Sequence, residues 1–349
     1  MIRYISHMKT AKKILLKDIA AEAGCSVAVA SRALSSDSFQ NRTVAKQTAA
    51  AVVHAARKLG YTPPRQRGRK RPVGVISVFL PEQATTLMLK LISGISKVTA
   101  EHETPVYFYN NANAASFRNF IRDYLNVNRS LGVISYYPAD EADVPDFLDM
   151  HRKIKQKDGK LVVIHNNAPK DFPAVSIRIN NYSGGRMAGE YLGAMDLREY
   201  FAIVWPRPDY RHDRMYGFCS ALEKMNKNTT VFWGTADQYD QLLVSLNRIY
   251  RMVDWNAPGA VGIFCDSDNT ALTVNGFFQA RGIVVGKQIR LIGYDDLEQT
   301  VHTYPRLTTI HQPFEEMGAK AVRKLIRLMK GFPETSEILE PELIVREST

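Results

Sequence analysis

Apolar residues in the larger part of the chain fall into short runs that alternate with longer amphipathic stretches. The run at 73–80 is rich in branched side chains and is typical of a strand that is buried on both faces of a sheet. Similar runs occur at 106–109, 131–135, 161–165, 201–205, 261–265 and 289–294. Helical spacing predicts helices at 86–101, 115–127, 184–195, 214–226, 239–253, 269–281 and 314–330. This alternation predicts parallel sheets covered by helices, and two successive sets predict an α/β body of two lobes.

The pattern differs at 15–34, where two short helices are predicted around a tight turn. Gly24 interrupts the helical spacing where the chain must turn. Ser26 is suited to cap the second helix, because its hydroxyl accepts an otherwise unpaired backbone N–H. The apolar face of the first helix comprises Leu16, Ile19, Ala20 and Ala23, and that of the second comprises Ala30, Ala33 and Leu34. The residues left facing outward are Val27, Ala28, Ser31 and Arg32. This is helix-turn-helix spacing, and the second helix of such a pair enters the DNA major groove.

A third helix is predicted at 45–59, and it ends before Pro63 because proline cannot continue a helix. The following segment, 64–72, holds five basic residues, a glycine and flanking prolines, so it should be a poor isolated helix. Two interpretations of this segment stay open. It is either a flexible, solvated linker or a DNA contact along phosphates or in a narrow minor groove, made by Arg65, Arg67 and Arg69.

Positive charge is concentrated at one end of the chain. The formal net charge is +11. Residues 1–72 hold fifteen Lys and Arg side chains against three acidic ones, whereas the remaining residues are balanced to within one charge. A basic head on a neutral body is the electrostatic pattern expected of phosphate binding.

Several classes of protein are disfavoured by the sequence. No apolar run approaches the ~20 residues of a membrane span, and the amino end lacks the apolar stretch of a secretory signal. The cysteines Cys25, Cys219 and Cys265 lack CxxC spacing and are predicted to be reduced thiols. We find no P-loop, nucleophile elbow or zinc-binding spacing. We therefore expect a cytoplasmic protein that uses no membrane, metal or cofactor and is not an enzyme.

The order of residues at 16–34 resembles the amino-terminal signature of the lactose-repressor/galactose-repressor family of bacterial regulators. It reads Leu-x-Asp-Ile-Ala-x-x-Ala-Gly-x-Ser, followed by Ser-Arg-x-Leu. Further blocks that are similar to the family lie at 175–185, 214–218, 291–296 and 305–313, in the family's order. The linker departs from the family pattern, because Arg67 and Lys70 stand where a hinge helix usually has Ala and Leu.

This resemblance implies a small all-α helix-turn-helix head and a two-lobed body like that of periplasmic binding proteins. We divide the chain into an arm at 1–13, a DNA-binding domain at 14–63, a basic linker or hinge at 64–72, and an effector-binding and dimerisation domain at 73–349. Two interpretations of the arm stay open, a disordered segment or a true start at Met8. The residues expected to contact DNA are Leu16, Lys17, Ser26, Val27, Ala28, Val29, Ser31 and Arg32, together with the three linker arginines.

The resemblance also implies an effector site between the lobes. Arg214 and Asp295 match family positions, and a guanidinium and a carboxylate are suited to bind hydroxyl and ring groups. Asn166 and Ser267 stand where the family has Asp and Asn. Trp205 and Trp233 are suited to stack on a sugar or purine face, although plain core positions explain them equally well. The alternative to effector binding is that Arg214 and Asp295 form a purely structural pair that joins two loops.

The sequence thus predicts a regulator that binds a double-stranded, pseudo-palindromic operator as a homodimer, and the resemblance implies that it is a repressor. The predicted effector is a small molecule, a sugar or sugar derivative. A purine-type, corepressor-dependent regulator is one alternative, because the string at 310–313 is similar to the purine repressor. A two-lobed solute-binding protein would need a signal peptide and no basic head. A sugar-processing enzyme with a fused DNA-binding domain would need a catalytic constellation.

Overall fold

The structure is a computed structural model that describes residues 14–34, 44–59, 61, 75–81, 86–125, 130–138, 140–164, 169, 172–205, 210–233 and 239–349. The chain divides into two compact units, Met1–Lys70 and Arg71–Thr349, called here the head and the body. The predicted arm and linker, with Arg65, Arg67 and Arg69, lie outside the described residues, as does Asn166. No helix within the described ranges is long and apolar enough to cross a membrane.

The described residues of the head include the helices α1 (Leu16–Glu22), α2 (Val27–Ala33) and α3 (Lys46–Lys58). Gly24 turns the chain between the first two with a φ of 63°, a conformation that glycine adopts without strain. The Ser26 hydroxyl accepts the Val29 N–H at 3.3 Å, which confirms the predicted cap. The helices bury a core rich in small residues, which consists of Ile19, Ala20, Ala30, Ala33, Val52, Ala55 and Ala56. Small side chains at these positions let the helices cross closely.

The described residues of the body form two six-stranded sheets. The first lobe begins with β1 (Val75–Phe79), α4 (Thr86–Glu101), β2 (Val106–Tyr109), α5 (Ala114–Phe120), β3 (Ser130–Tyr136), α6 (Val144–Gln156), β4 (Lys160–Ile164) and β5 (Val175–Ile179). The second holds α7 (Asn181–Gly193), β6 (Leu197–Val204), α8 (Tyr210–Lys224), β7 (Thr229–Trp233), α9 (Tyr239–Met252), β8 (Ala260–Cys265), α10 (Asp268–Gln279), β9 (Ile289–Asp295) and β10 (Thr308–His311). The chain ends with α11 (Phe314–Met329), β11 (Glu337–Leu339) and β12 (Glu342–Ile344).

The sheets are parallel, as predicted, apart from one terminal strand. The first sheet has the order β11-β5-β4-β3-β1-β2, and the second has the order β12-β10-β9-β8-β6-β7. β12 pairs antiparallel with β10, in a register that places Ile310 opposite Leu343. Central strands such as β8 are buried along their whole length, which explains their continuous apolar runs.

The lobes are not two successive halves of the chain, and this part of the prediction was wrong. After β10 the chain returns to the first lobe, where α11 packs Met317, Val322 and Leu325 into the core beside α4. β11 joins the first sheet and β12 joins the second. The chain therefore crosses between lobes three times, after β5, after β10 and after β11. Periodicity identifies the apolar face of α11 but cannot say which sheet covers it.

Several elements depart from the predicted pattern. The elements without a predicted counterpart among the runs are the helix α6 and the strands β5, β7, β10, β11 and β12. β2 is an edge strand with Tyr107 and Phe108 exposed, so it is not buried on both faces. The helix predicted at 115–127 is α5 followed by a π-helical turn, Ile121–Leu125.

Candidate DNA-binding and effector sites

The outer face of α2 presents small and apolar side chains beside one arginine. Val27, Ala28, Ser31 and Arg32 are exposed, as the spacing predicted. The Arg32 Nε donates to the Ala28 carbonyl oxygen at 3.3 Å, so the guanidinium lies along the helix surface. Lys17 and Ser26 are also exposed, and Val29 is half-buried. Leu16 packs against the head core, so its side chain is not on this outer face.

The candidate effector residues of the second lobe gather where its parallel strands end. Trp205 follows β6, Asp266 follows β8, and Asp295 is the last residue of β9. Parallel α/β sheets bind ligands at the carboxyl ends of their strands, because the loops that follow the strands converge there. Arg214 reaches the same edge from α8, which follows β6 in the chain.

Arg214 is the centre of this cluster and is only 2% exposed. Its Nη1 donates to the Asp266 carbonyl oxygen at 2.6 Å and lies 3.3 Å from the Asp295 Oδ1. Its Nε donates to the Asn181 Oδ1 at 2.8 Å. The guanidinium carbon lies 3.7 Å from the centroid of the Tyr294 ring, within the range of a cation–π contact. The fork of donors is thus held in one orientation from several sides.

Close packing of α7 against α8 fixes the backbone of Arg214. A Cβ atom on Gly185 would lie 1.8 Å from the Arg214 carbonyl oxygen. A Cβ on Gly217 would lie 2.1 Å from the Tyr182 carbonyl oxygen. Both helices therefore need glycine at the crossing, and the position of Arg214 depends on it.

Asp295 and Asp296 are adjacent in the chain, and their side chains have different partners. The Asp295 Oδ1 accepts from the Gln312 Nε2 at 2.6 Å in addition to facing Arg214. The Asp296 carboxylate lies 2.9 Å from the His311 Nδ1 and accepts from the Arg346 Nη2 at 2.6 Å. These hydrogen bonds, that of His311 foremost, lower the pKa of Asp296 to about 2. The two residues have φ values of 121° and 51°, in the region that L-residues rarely adopt.

Asp268 is a buried acid of this edge that the sequence analysis did not single out. Its Oδ1 accepts from the Thr309 hydroxyl at 2.6 Å, and its Oδ2 accepts from the Leu297 N–H at 2.8 Å. Burial, followed by the charge of Asp295, raises the pKa of Asp268 to about 7. The available signal was the position of this acid, three residues after the end of the buried strand β8 and at the start of α10.

Ser267 and Trp205 meet at Thr270, another residue that the sequence analysis missed. Ser267 caps α10 by accepting the Thr270 N–H, and the two hydroxyl oxygens lie 2.9 Å apart. The Trp205 Nε1 donates to the Thr270 Oγ1 at 2.9 Å. The Trp205 N–H also donates to the Asp266 Oδ2 at 2.8 Å. Both predicted residues therefore support the local structure of this edge.

Trp233 ends β7 and is 46% exposed. Its ring makes an edge-to-face contact with the His212 ring, with centroids 5.3 Å apart. Much of the indole is therefore available for stacking. No group of three or more metal-binding side chains occurs within the part of the chain that the structure describes.

Comparison with known proteins agrees with this architecture. The model for bacterial regulatory proteins of the lacI family matches residues 15–64, and the model for a periplasmic binding protein-like domain matches residues 198–349. The transcriptional repressor CytR of Escherichia coli K12 is 26% identical over 96% of this chain and 96% of its own length.

Two solved structures share the fold. A complex of the regulator CelR with cellobiose has a TM-score of 0.64 and 23% identity, over 96% of this chain and all of that chain. The lac repressor dimer bound to operator and the anti-inducer ONPF has a TM-score of 0.68 and 21% identity, over 97% of this chain and 99% of that chain. The chain therefore combines a DNA-binding domain of the lacI family of bacterial regulatory proteins with a periplasmic binding protein-like domain, and the relative that it matches over nearly its whole length is a transcriptional repressor rather than an enzyme.

Proposed function

We propose that this protein is a cytoplasmic homodimeric repressor that binds a pseudo-palindromic operator and responds to a sugar or sugar derivative in the cleft between its lobes. The observation that carries the proposal is the pair formed by the buried Arg214 and the partly buried Asp295, 3.3 Å apart, at the strand ends of a body joined to a helix-turn-helix head. A pair with both donor and acceptor atoms is suited to several neighbouring hydroxyl groups.

The DNA-binding part of the proposal rests on the surface of α2. Val27 and Ala28 offer no side-chain hydrogen bond, so their expected contacts are thymine methyl groups in the major groove. Arg32 supplies the polar contact of α2 and binds guanine or a phosphate. The other residues of the head that are proposed to contact DNA are Lys17, Ser26, Val29 and Ser31. Leu16 is proposed to contact DNA through its backbone. In the linker, Arg65, Arg67 and Arg69 are proposed to lie along phosphates.

The dimer part rests on apolar side chains that the single chain leaves exposed. Tyr304 is 90% exposed, and Val284 and Val301 are exposed as well. Leu89 of α4 is another exposed apolar side chain of the body. Large exposed apolar groups favour a partner surface, and the similar lac repressor structure is a dimer. Two heads would then present two α2 helices to the half-sites of one operator.

The effector part rests on the chemistry of the strand ends. Asp295 accepts hydrogen bonds from sugar hydroxyls, Arg214 donates to them, and the exposed face of Trp233 stacks on a ring. Asn166, Trp205 and Ser267 complete the proposed site. The similar CelR structure contains cellobiose, which favours a sugar.

A ligand screen combined with operator selection tests the proposal. The full chain is screened by thermal shift against sugars, sugar phosphates and purines. A ligand at 100 times its dissociation constant adds ~2.7 kcal/mol to the free energy of unfolding, which is readily measured. Stabilisation by sugars and enrichment of a two-fold symmetric DNA site are the expected results. Stabilisation by purines alone would replace the sugar with a purine-type corepressor, and enrichment of an asymmetric site would overturn the dimeric operator.

A further inference from the structure

Lys90 connects the two lobes directly. It lies on α4, whose Met88 and Leu91 are part of the core of the first lobe. Its Nζ donates to the carbonyl oxygen of Asp296 at 3.0 Å, and Asp296 follows β9 of the second lobe. The two residues are 206 positions apart in the sequence, and the contact is partly buried. α4 follows β1 in the chain, so its first turns lie at the edge of the first sheet where ligands bind α/β folds.

The acceptor of this contact is held rigidly by the second lobe. The carboxylate of Asp296 is fixed by His311 at 2.9 Å and by Arg346 at 2.6 Å. Its N–H lies 3.3 Å from the Thr309 Oγ1, and its φ of 51° leaves little room for adjustment. Because the carbonyl is fixed to the second lobe in this way, the Lys90 contact depends on the position of that lobe relative to α4.

The acceptor is also the immediate neighbour of Asp295. Asp295 faces Arg214 at 3.3 Å and accepts from Gln312 at 2.6 Å, and Gln312 belongs to the segment that crosses between the lobes after β10. A ligand that forms a hydrogen bond with the Asp295 carboxylate therefore acts one peptide bond away from the residue whose carbonyl oxygen accepts from Lys90. The donor of this contact is charged and its acceptor is neutral, so the ammonium can leave it without leaving a buried carboxylate unpaired.

We infer that Lys90 is the positioning residue that couples the state of Asp295 to the separation of the lobes. This role rests on the proposed effector site at Asp295. With the Lys90 contact made, one lobe separation is favoured. Displacement of the loop at Asp295 breaks the contact and allows the other separation. A population shift requires an interaction that differs between the two states, and the Lys90 contact is such an interaction because it forms at only one lobe separation.

The chain offers a matched set of variants for a test. Lys90→Met keeps the length of the side chain and removes the donor, whereas Lys90→Arg keeps a charged donor. Lys97→Met makes the same lysine-to-methionine substitution at an exposed position of the same helix, so it controls for the loss of one positive charge on α4. Spin labels carried by noncanonical amino acids replace the exposed Leu148 of the first lobe and Val244 of the second.

The measurement is the distance distribution between the two labels in the ligand-free full chain, with labelled chains diluted by unlabelled ones. Lys90→Met should change the ratio of the two lobe separations about tenfold, the effect of removing about 1.4 kcal/mol of preference. Lys90→Arg and Lys97→Met should keep the distribution of the wild type.

An unchanged distribution in Lys90→Met would overturn the inference, as would an equal change in Lys97→Met. Because the readout uses neither operator nor effector, it is independent of the proposed function. If the ratio changes while the wild type binds no operator, the proposed function fails and the coupling contact stands. If the wild type binds operator and responds to a sugar while the ratio in Lys90→Met does not change, only the inference about Lys90 fails.

Discussion

Replacing Gly185 with alanine should destabilise the second lobe by forcing α7 and α8 apart. The added Cβ would lie 1.8 Å from the Arg214 carbonyl oxygen, whereas ordinary contact begins at 3.4 Å. The helices must therefore separate by about 1.6 Å at this point, unless the side chains around them repack. Overpacking of this kind costs typically ~1–3 kcal/mol. Alanine in a helix interior gains ~0.5–1 kcal/mol over glycine, so the net loss should lie near ~1 kcal/mol and reach at most ~2.5 kcal/mol.

Gly276 of α10 provides the matched control. A Cβ at this position would meet nothing within 4 Å, so Gly276→Ala should gain the helical preference without a clash. Urea unfolding followed by circular dichroism gives the free energy of unfolding of both variants and of the wild type. The predicted order is Gly276→Ala above wild type and Gly185→Ala below it. If Gly185→Ala is as stable as Gly276→Ala, the close crossing of α7 and α8 does not fix Arg214 as described.

Three further predictions concern the head, the linker and Asp268. Arg32→Ala should weaken operator binding by ~1–3 kcal/mol if Arg32 reads a base, and unchanged affinity in a titration would remove it from the site. Replacing Arg65, Arg67 and Arg69 with alanine should flatten the slope of log affinity against log salt by up to ~0.9 per lost phosphate contact, and an unchanged slope would make the linker a spacer. The pKa of Asp268 is raised to about 7, so the folded chain holds a proton that the unfolded chain releases near pH ~4. Stability from this group is therefore complete at low pH and is lost as the pH rises from about 4 to about 7. Asp268→Asn mimics the neutral form. The free energy of unfolding of this variant, relative to that of the wild type, should therefore increase as the pH rises over this range, by at most ~1.4 kcal/mol per pH unit. Parallel urea curves at all pH values would contradict this.

The sequence predicted the elements whose patterns are local. The cap at Ser26, the turn at Gly24 and the buried faces of α1 and α2 each depend on residues within one or two turns, and the structure confirms them. Long buried strands such as β8 were equally clear, because a strand covered on both faces is continuously apolar.

The rest depends on contacts between distant segments. The return of α11 to the first lobe is decided by how its apolar face fits α4, which no window of sequence contains. The resemblance located Arg214 and Asp295, but the roles of Asn181, Asp266 and Tyr294 around the guanidinium appear only once the strands are assembled. Asp268 escaped notice because its effect comes from burial, and burial of a single acid cannot be read from its neighbours.

The most direct test of the account compares operator binding by the wild type and by Asp295→Ala. The operator is the symmetric site obtained by selection, and the effector is the sugar that stabilises the wild type in the thermal-shift screen. Fluorescence anisotropy measures the affinity of each protein for the operator, with and without saturating sugar. The account predicts that the sugar changes the operator affinity of the wild type, and that Asp295→Ala binds the operator like the ligand-free wild type and does not respond. A response of Asp295→Ala with the amplitude and sugar affinity of the wild type would show that Asp295 is structural and that the effector binds elsewhere.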